Sequence, residues 1–140
     1  KEFKAVKNVT FFNDCDKQKN KFDLILCTEV IEHLYDKELN KLIEIFKRIK
    51  TPDGYIIFST PNKEDLRKSL IYNPIDQSLF HRWQHVRSWD RIKLKDFLKN
   101  KGFSEFHFQE TTFVKQNDSF IRKIYRKLKY KQLNLVVKFR

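Results

Sequence analysis

Histidine and carboxylate side chains lie in two short segments that could carry acid–base chemistry. Glu32 and His33 are adjacent, and residues 81–87 (HRWQHVR) bring two more histidines together with arginine and tryptophan. Because an imidazole titrates near neutral pH, His33 and His85 are candidates for a general base. A single histidine is more often structural, so that interpretation stays open. No H-x-E…C-x-x-C or H-E-x-x-H pattern is present, and no metal site is predicted.

Gly54 and Gly102 are the two glycines among the 140 residues. A dinucleotide-binding G-x-G-x-x-G or a P-loop needs more glycines than that, so this sequence holds no glycine-rich phosphate loop. Each glycine stands in a turn-like context. In residues 51–54 (TPDG), proline stops the preceding helix and glycine tolerates a positive φ, which predicts a turn.

Cysteine usage and hydropathy predict a cytoplasmic protein. Two cysteines, Cys15 and Cys27, do not suggest a disulfide framework, which favours a reducing compartment. No apolar run approaches the roughly 18 residues that a membrane-spanning helix needs, and Lys1, Glu2 and Lys4 leave no apolar start for a signal peptide.

The elements that must position these side chains alternate between strand and helix. The apolar run at residues 22–27 predicts a strand buried on both faces, as in a parallel sheet. Asp36 and Ser88 are predicted N-caps, and Ile92, Leu94, Phe97 and Leu98 are predicted to face inward. The predicted strands cover residues 9–12, 22–27, 55–59, 103–113 and 133–139, and the predicted helices cover 36–50, 88–101 and 117–131. This order indicates a single α/β domain over residues 1–140 with a mostly parallel sheet.

Residues 22–34 (FDLILCTEVIEHL), 49–62 (IKTPDGYIIFSTPN) and 85–103 (HVRSWDRIKLKDFLKNKGF) together form a specific pattern. It resembles the class I S-adenosylmethionine-dependent methyltransferases, most closely the group related to ubiquinone-pathway O-methyltransferases. The resemblance covers about residues 9–140. It implies a Rossmann-like sheet with an antiparallel C-terminal hairpin and S-adenosylmethionine as cofactor. Residues 63–87 would form a loop on the substrate side.

The sequence departs from the family where the first strand would carry an acidic-x-Gly-x-Gly loop. At roughly 30 residues per βαβ unit, the first two strands, about 60 residues, are expected to be absent. In the family order 3-2-1-4-5-7-6, strand 4 would then expose an apolar edge. The chain could be a piece of a longer protein, strand 3 could pair with strand 4, or two copies could cover each other's edges as a homodimer.

The resemblance implies roles for residues at the strand ends. Asp14 and Cys15 would bind the adenine. The alternative is that Asp14 and Asp16 are present only because they form a turn with Asn13. Residues Cys27, Thr28, Glu29 and Val30 would line the methionine portion of the cofactor; Glu29 could equally just begin a helix.

Asn62 and Arg87 would face the acceptor in the family. Pro61 beside Asn62 could be present only to stop the strand. His85 would act as general base or metal-assisting group, and His33 would lie beside the cofactor pocket.

Two functions remain possible at this stage. The first is methyl transfer to a small-molecule, sugar or lipid acceptor, with the 140 residues inactive on their own. The second is a non-catalytic module that binds an anionic membrane or nucleic acid through residues 115–140, where nine Lys and Arg residues stand against Asp118 and contribute much of the net charge of +12. A solvated basic helix is the preferred explanation of that segment, followed by a membrane contact and then nucleic acid.

Overall fold

A computed structural model describes residues 17–111 and 134–140. The helices are α1 (Asp36–Ile49) and α2 (Arg91–Asn100), with a short 3₁₀ helix at Leu66–Ser69. The strands are β1 (Phe22–Thr28), β2 (Lys50–Pro61), β3 (Leu70–Asn73), β4 (Ser78–His81), β5 (His107–Thr111) and β6 (Asn134–Phe139). The strand predicted at residues 9–12 and the helix predicted at 117–131 lie outside the described residues.

Four strands form one sheet in the order β1-β2-β6-β5, and β3 and β4 form a separate hairpin. The β1–β2 pair is parallel, while β6 runs antiparallel to both β2 and β5. This order is the one expected for family strands 4-5-7-6, so the predicted α/β class and its antiparallel C-terminal hairpin are confirmed. Within the described part, the sheet is mixed, with its parallel portion at β1–β2.

Both helices pack on one face of the sheet. In α1 the residues that face inward are buried at helical spacing, and Phe46 packs on Phe58 of β2 with ring centroids 5.9 Å apart. In α2, Leu94 and Leu98 are fully buried, and Phe103 after the helix packs edge-on against Phe139 of β6. The core therefore lies between the two helices and this face.

Among the described residues, none covers the opposite face of β1 at Leu24 and Leu26, which corrects the prediction of a strand buried on both faces. Leu24 and Leu26 are 52% and 63% exposed, whereas Ile25 and Cys27 are buried. Alternate residues of a strand point to opposite faces, and the described helices cover one of them. Within the described residues β1 is also an edge strand. The predicted homodimer that would cover such an edge stays a prediction.

Several local predictions about the helices were wrong for identifiable reasons. Tyr35, not Asp36, precedes the first turn of α1, and the Asp36 carboxylate instead accepts a hydrogen bond from Arg87 at 2.8 Å. Asp90, not Ser88, caps α2 through the Lys93 N–H at 2.9 Å. Helix α2 begins late because Trp89 pairs with Asn62 in a bridge that keeps the chain extended.

The two glycines have different structural roles. Gly102 follows α2 with φ 85°, the left-handed conformation in which many helices end, and this agrees with the turn-like context expected for it. Gly54 lies inside β2 rather than in a separate turn, and its φ is not positive. A Cβ at Gly54 would approach the Phe22 carbonyl oxygen to 2.9 Å. Glycine is needed there because the backbones of β1 and β2 approach each other closely. The pairing is irregular at this point, since Phe22 pairs with Lys50 but Leu24 pairs with Tyr55.

None of the helices in residues 17–111 or 134–140 is long and apolar enough to cross a membrane.

Helix α2 offers a matched test of this packing. Leu94 is fully buried, whereas Ile92, predicted to face inward, is 72% exposed. We expect Leu94→Ala to lower the free energy of unfolding by about 2–5 kcal/mol, because it leaves a cavity in the core. Ile92→Ala should change it by less than about 0.5 kcal/mol. Urea denaturation followed by circular dichroism measures both, and equal losses would contradict the placement of α2.

Candidate active site at the ends of β1 and β2

The candidate site forms where the parallel strands β1 and β2 end side by side. Thr28 pairs with Ser59, so the segment that follows β1 passes the last residues of β2. Glu29 has φ 53°, an uncommon conformation for a residue other than glycine. Two contacts hold it there: its N–H donates to the Ser59 carbonyl at 2.9 Å, and its carboxylate accepts from the Ser59 hydroxyl at 2.7 Å.

Glu32 is a carboxylate buried inside the fold. The residue is 1% exposed, and its Oε2 accepts a hydrogen bond from the Thr60 hydroxyl at 3.1 Å. Burial raises the pKa of Glu32, and the nearby charge of Glu29 adds to the rise, against opposing hydrogen bonds from its own backbone and Thr60. Its second oxygen, Oε1, has no hydrogen-bond partner among residues 17–111 and 134–140 and lies 4.0 Å from His33 Nε2. A buried carboxylate oxygen without a partner is suited to bind a ligand.

The loop at residues 63–87 contains a hairpin that periodicity did not reveal. Strands β3 and β4 pair antiparallel from Leu70↔His81 to Asn73↔Ser78. After β4, a turn with Gln84 at φ 58° returns the chain towards β1, and the Val86 N–H donates to the Glu32 carbonyl at 2.9 Å. This last contact places His85 beside His33.

Three histidines and two glutamates meet at this point. The rings of His33 and His85 lie edge to face with centroids 4.7 Å apart, and His81 stacks on His85 at 4.7 Å. Glu64 contacts both His81 and His85. Burial lowers the pKa of His81, and the positive charges of His85 and His33 would lower it further, while Glu64 opposes the shift. The cluster therefore favours neutral imidazole at His81.

Two overlapping groups in the cluster could hold a metal ion: Glu32, His33 and His85, and Glu64, His81 and His85. Within each group the ligand atoms lie within 4.8 Å of one another. Carboxylate and imidazole ligands suit Mn²⁺, Fe²⁺ or Zn²⁺. The prediction of no metal site rested on local sequence motifs, which do not detect ligands that lie some fifty residues apart. That prediction remains untested, and the geometry supplies a reason to revisit it.

The predicted cofactor residues occupy different environments. Cys27 is buried in the sheet, and burial together with the charge of Glu32 raises the pKa of its thiol to about 12. Its side chain therefore belongs to the core. Thr28, Glu29 and Val30 are exposed at the strand end. Asp14 and Cys15 lie outside the described residues.

The predicted acceptor residues are engaged within the fold. Asn62 is 9% exposed, and its backbone pairs with Trp89. Arg87 donates to Asp36 at 2.8 Å and lies over the Trp89 ring. Both residues anchor the loop that carries His85. The structure brings His33 and His85, both candidates from the sequence, together. Glu64 and His81 belong to the same cluster but were not predicted as site residues. The density of donors in residues 81–87 was the only signal for His81.

Comparison with known proteins identifies the family. A family described as "Methyltransferase domain" matches residues 2–106. The chain belongs to this methyltransferase family. The match confirms, at the level of the family, the resemblance drawn from residues 22–62 and 85–103.

Individual relatives match over shorter stretches. The chain is 32% identical over 71 residues to a trimethylamine monooxygenase of a Pelagibacter species, covering 49% of this chain and 16% of that protein. It is 31% identical over 81 residues to the small RNA 2′-O-methyltransferase of Gallus gallus, covering 56% and 19%. Both matches span a small part of the relative.

A solved structure shows the same fold. The 1,6-didemethyltoxoflavin-N1-methyltransferase of Burkholderia thailandensis, with bound 1,6-didemethyltoxoflavin and S-adenosylhomocysteine, has a TM-score of 0.61 at 14% identity. The match covers 89% of this chain and 45% of that chain. The chain thus spans about half the length of this structural relative, and the described sheet is that of a Rossmann-like methyltransferase.

The Thr60–Glu32 hydrogen bond can be tested by a matched pair of substitutions on β2. Thr60→Val removes the hydroxyl donor to buried Glu32, and we expect it to lower the free energy of unfolding by about 1–3 kcal/mol. Thr51→Val removes a similar bond, from Thr51 to the exposed carboxylate of Asp23 at 2.9 Å, and should cost less than about 1 kcal/mol. Thermal unfolding measures both. A Thr60→Val protein as stable as wild type would show that the buried bond contributes little.

Proposed function

We propose that this chain forms the acceptor-facing part of an S-adenosylmethionine-dependent methyltransferase that methylates the 2′-hydroxyl of an RNA ribose. The observation that carries the proposal is the cluster of Glu32, His33 and His85 at the ends of β1 and β2. Ligands of open α/β sheets bind outside the carboxyl ends of the strands. The cluster lies at that end, next to the exposed residues 28–30.

S-adenosylmethionine is the cofactor in this proposal. Its demethylated product is bound in the Burkholderia structure, whose fold the chain shares. Thr28, Glu29 and Val30 would line the methionine portion, with Asp14 and Cys15 on the adenine side. The expectation that two further strands precede this chain stays a prediction, as does inactivity of the 140 residues alone.

The reaction is a displacement at the sulfonium methyl. A bond forms between the acceptor oxygen and the methyl carbon, the methyl–sulfur bond breaks with its electron pair leaving on sulfur, and the hydroxyl proton must leave the acceptor. A ribose hydroxyl is a poor nucleophile until that proton is removed. A divalent cation at this position would lower the pKa of such a hydroxyl.

The residues of the cluster fit that task. Glu32 Oε1 is buried with no hydrogen-bond partner among the described residues. Glu32, His33 and His85 each offer one ligand atom, and these atoms lie within 4.8 Å of one another. In this arrangement the two predicted catalytic histidines hold the cation with Glu32. The alternative kept from the sequence is that His85 accepts the proton itself as general base.

The β3–β4 hairpin supports a nucleotide acceptor. Cross-strand pairing puts Leu70, Tyr72 and Leu79 on the same face as His81. His81 is buried in the cluster, whereas the other three are 45–65% exposed, and Trp83 beyond the strand is 61% exposed. Exposed aromatic rings beside a site are suited to stack on bases, and the net charge of +12 favours a polyanion.

Other acceptors and functions have weaker support. The acceptor predicted from sequence is a small molecule, sugar or lipid, and the Burkholderia relative is named for a small heterocycle. Monooxygenase chemistry has weaker support, because the match covers 16% of that relative. A membrane or nucleic-acid contact through residues 115–140 and a cytoplasmic location stay predictions.

The test measures transfer of labelled methyl from S-adenosylmethionine by the full-length gene product in the presence of Mn²⁺. We expect methylation of an RNA oligonucleotide and none of an oligonucleotide of the same sequence in which every ribose is 2′-deoxy. His85→Ala should reduce the rate on the order of 100-fold or more. His107→Ala, which removes an exposed histidine on β5, should leave it unchanged.

Two results would contradict the proposal. Equal methylation of the 2′-deoxy oligonucleotide would place the acceptor atom elsewhere. Transfer to small molecules but not to RNA would favour the acceptor predicted from sequence. The 140-residue chain assayed in parallel tests whether it is inactive alone.

The hairpin surface makes a separate prediction. Tyr72→Ala removes an exposed aromatic ring, and we expect the KM for RNA to rise about 5- to 100-fold, because a stacked base contributes about 1–3 kcal/mol. The kcat should change by less than about twofold. Ile75→Ala, at the 93% exposed hairpin tip, is the control for loss of apolar surface. A KM that responds equally to both variants would argue against stacking on Tyr72.

A further inference from the structure

Glu64 is a buried carboxylate shared by two histidines. It follows β2 by three residues, and its side chain is 7% exposed. One oxygen, Oε2, accepts a hydrogen bond from His85 Nδ1, and the other, Oε1, lies 3.6 Å from His81 Nε2. The two imidazole side chains are 4% and 9% exposed. Water therefore has little access to any of the three groups.

The backbone fixes the tautomer of His81. Its Nδ1 accepts hydrogen bonds from the N–H groups of Trp83 at 3.3 Å and His85 at 3.2 Å. A nitrogen that accepts carries no proton, so neutral His81 holds its proton on Nε2. That N–H faces Glu64 Oε1. The local turn and the carboxylate thus agree on one orientation of the ring.

Glu64 sets the tautomer of His85 in the same way. Because the carboxylate oxygen accepts from Nδ1, the proton of neutral His85 lies on Nδ1 and the lone pair lies on Nε2. Nε2 is then the nitrogen that can serve the group formed with Glu32 and His33. With the proton on Nε2 instead, His85 could neither bind a cation nor accept a proton there.

We propose that Glu64 is a positioning residue that holds His85 with its proton on Nδ1 and its Nε2 free for the Glu32–His33–His85 group. The role given to His85 Nε2 rests on the proposed function, whereas the tautomer of His85 does not. Carboxylates that accept from the second nitrogen of a metal-binding histidine commonly change metal affinity 10- to 100-fold.

The alternative is that Glu64, His81 and His85 themselves bind a cation. Two contacts argue against it. Glu64 bonds His85 directly, and Nδ1 of His81 is already used by two backbone donors. Because Nδ1 accepts, the proton of neutral His81 occupies Nε2 and leaves no lone pair there for a cation, although this nitrogen lies 3.6 Å from Glu64 Oε1 and makes no hydrogen bond among the described residues.

The test observes the histidine rings of the metal-free protein by long-range ¹H–¹⁵N NMR correlation. We expect the Nδ1–H form at His85 and the Nε2–H form at His81. Glu64→Ala should shift His85 towards the Nε2–H form. Glu64→Gln keeps an oxygen that can accept from Nδ1, so it should retain much of the Nδ1–H form and serves as the variant less likely to disturb folding. Asp65→Ala removes the neighbouring carboxylate, which bonds Arg67 instead, and should leave both rings unchanged.

Mn²⁺ binding, measured by calorimetry, gives the second readout. We expect Glu64→Ala to weaken binding about 10- to 100-fold, Glu64→Gln to weaken it less, and Asp65→Ala to have no effect. An Nε2–H His85 in wild type, or a tautomer that Glu64→Ala does not move, would overturn the inference. If the tautomers behave as expected and wild type binds no Mn²⁺, the positioning role stands and the cation in the proposed function fails. Tight Mn²⁺ binding that survives Glu32→Gln but not Glu64→Ala would instead establish the alternative cation site.

Discussion

The parallel register of β1 against β2 is the constraint on which the site depends. Pairing of Thr28 with Ser59 brings the residues after β1 past Ser59 and Thr60. Adjacent residues of a strand point to opposite faces, and the two hydroxyls accordingly bond different carboxylates, Ser59 with Glu29 and Thr60 with Glu32. A slip of one residue would exchange these faces. It would leave the Glu32 carboxylate buried without the Thr60 hydroxyl as its donor. Core packing and the contacts of the site therefore favour the same register.

Glu32 also joins the strand ends to the loop that carries His85. Its side chain is held by Thr60, and its carbonyl oxygen accepts from the Val86 N–H. Further contacts fix the loop to the rest of the fold: Lys63 N–H donates to the Trp89 carbonyl at 2.7 Å, and Arg87 donates to Asp36. Burying a carboxylate is unfavourable unless it is well compensated, and here one oxygen stays without a partner. Such incomplete compensation is typical of functional sites, where stability is given up for binding.

The sequence was sufficient for the elements whose pattern is long and local. The strand at residues 22–27 was found from its apolar run and the helix at 36–50 from apolar residues at helical spacing, and the family resemblance supplied the strand order. The burial of Leu24 and Leu26 was misjudged because a continuous apolar run does not say which faces are covered. Ile92 was misplaced because it lies two residues before buried Leu94, about 200° around the helix, and therefore on the exposed face of α2.

The candidate site was harder to predict, since its members meet only in three dimensions. Glu32 and His33 are adjacent in sequence, and His85 was chosen from a segment rich in donors. Glu64 gave no signal, because a single acid in a charged loop is ordinary. The hairpin was missed because four-residue strands are too short to show a period.

In the proposed function, the hairpin separates the choice of acceptor from the chemistry. It forms its own two-stranded sheet, yet its last residue, His81, lies in the cluster, packed against His85 and facing Glu64. Exposed residues such as Tyr72 and Leu79 can therefore change without altering the register of β1 and β2 or the environment of Glu32. Loops on a rigid scaffold commonly vary in this way without altering the scaffold. Acceptor specificity in this chain is thus expected to follow the hairpin surface, while the strand ends keep the methyl-transfer chemistry constant.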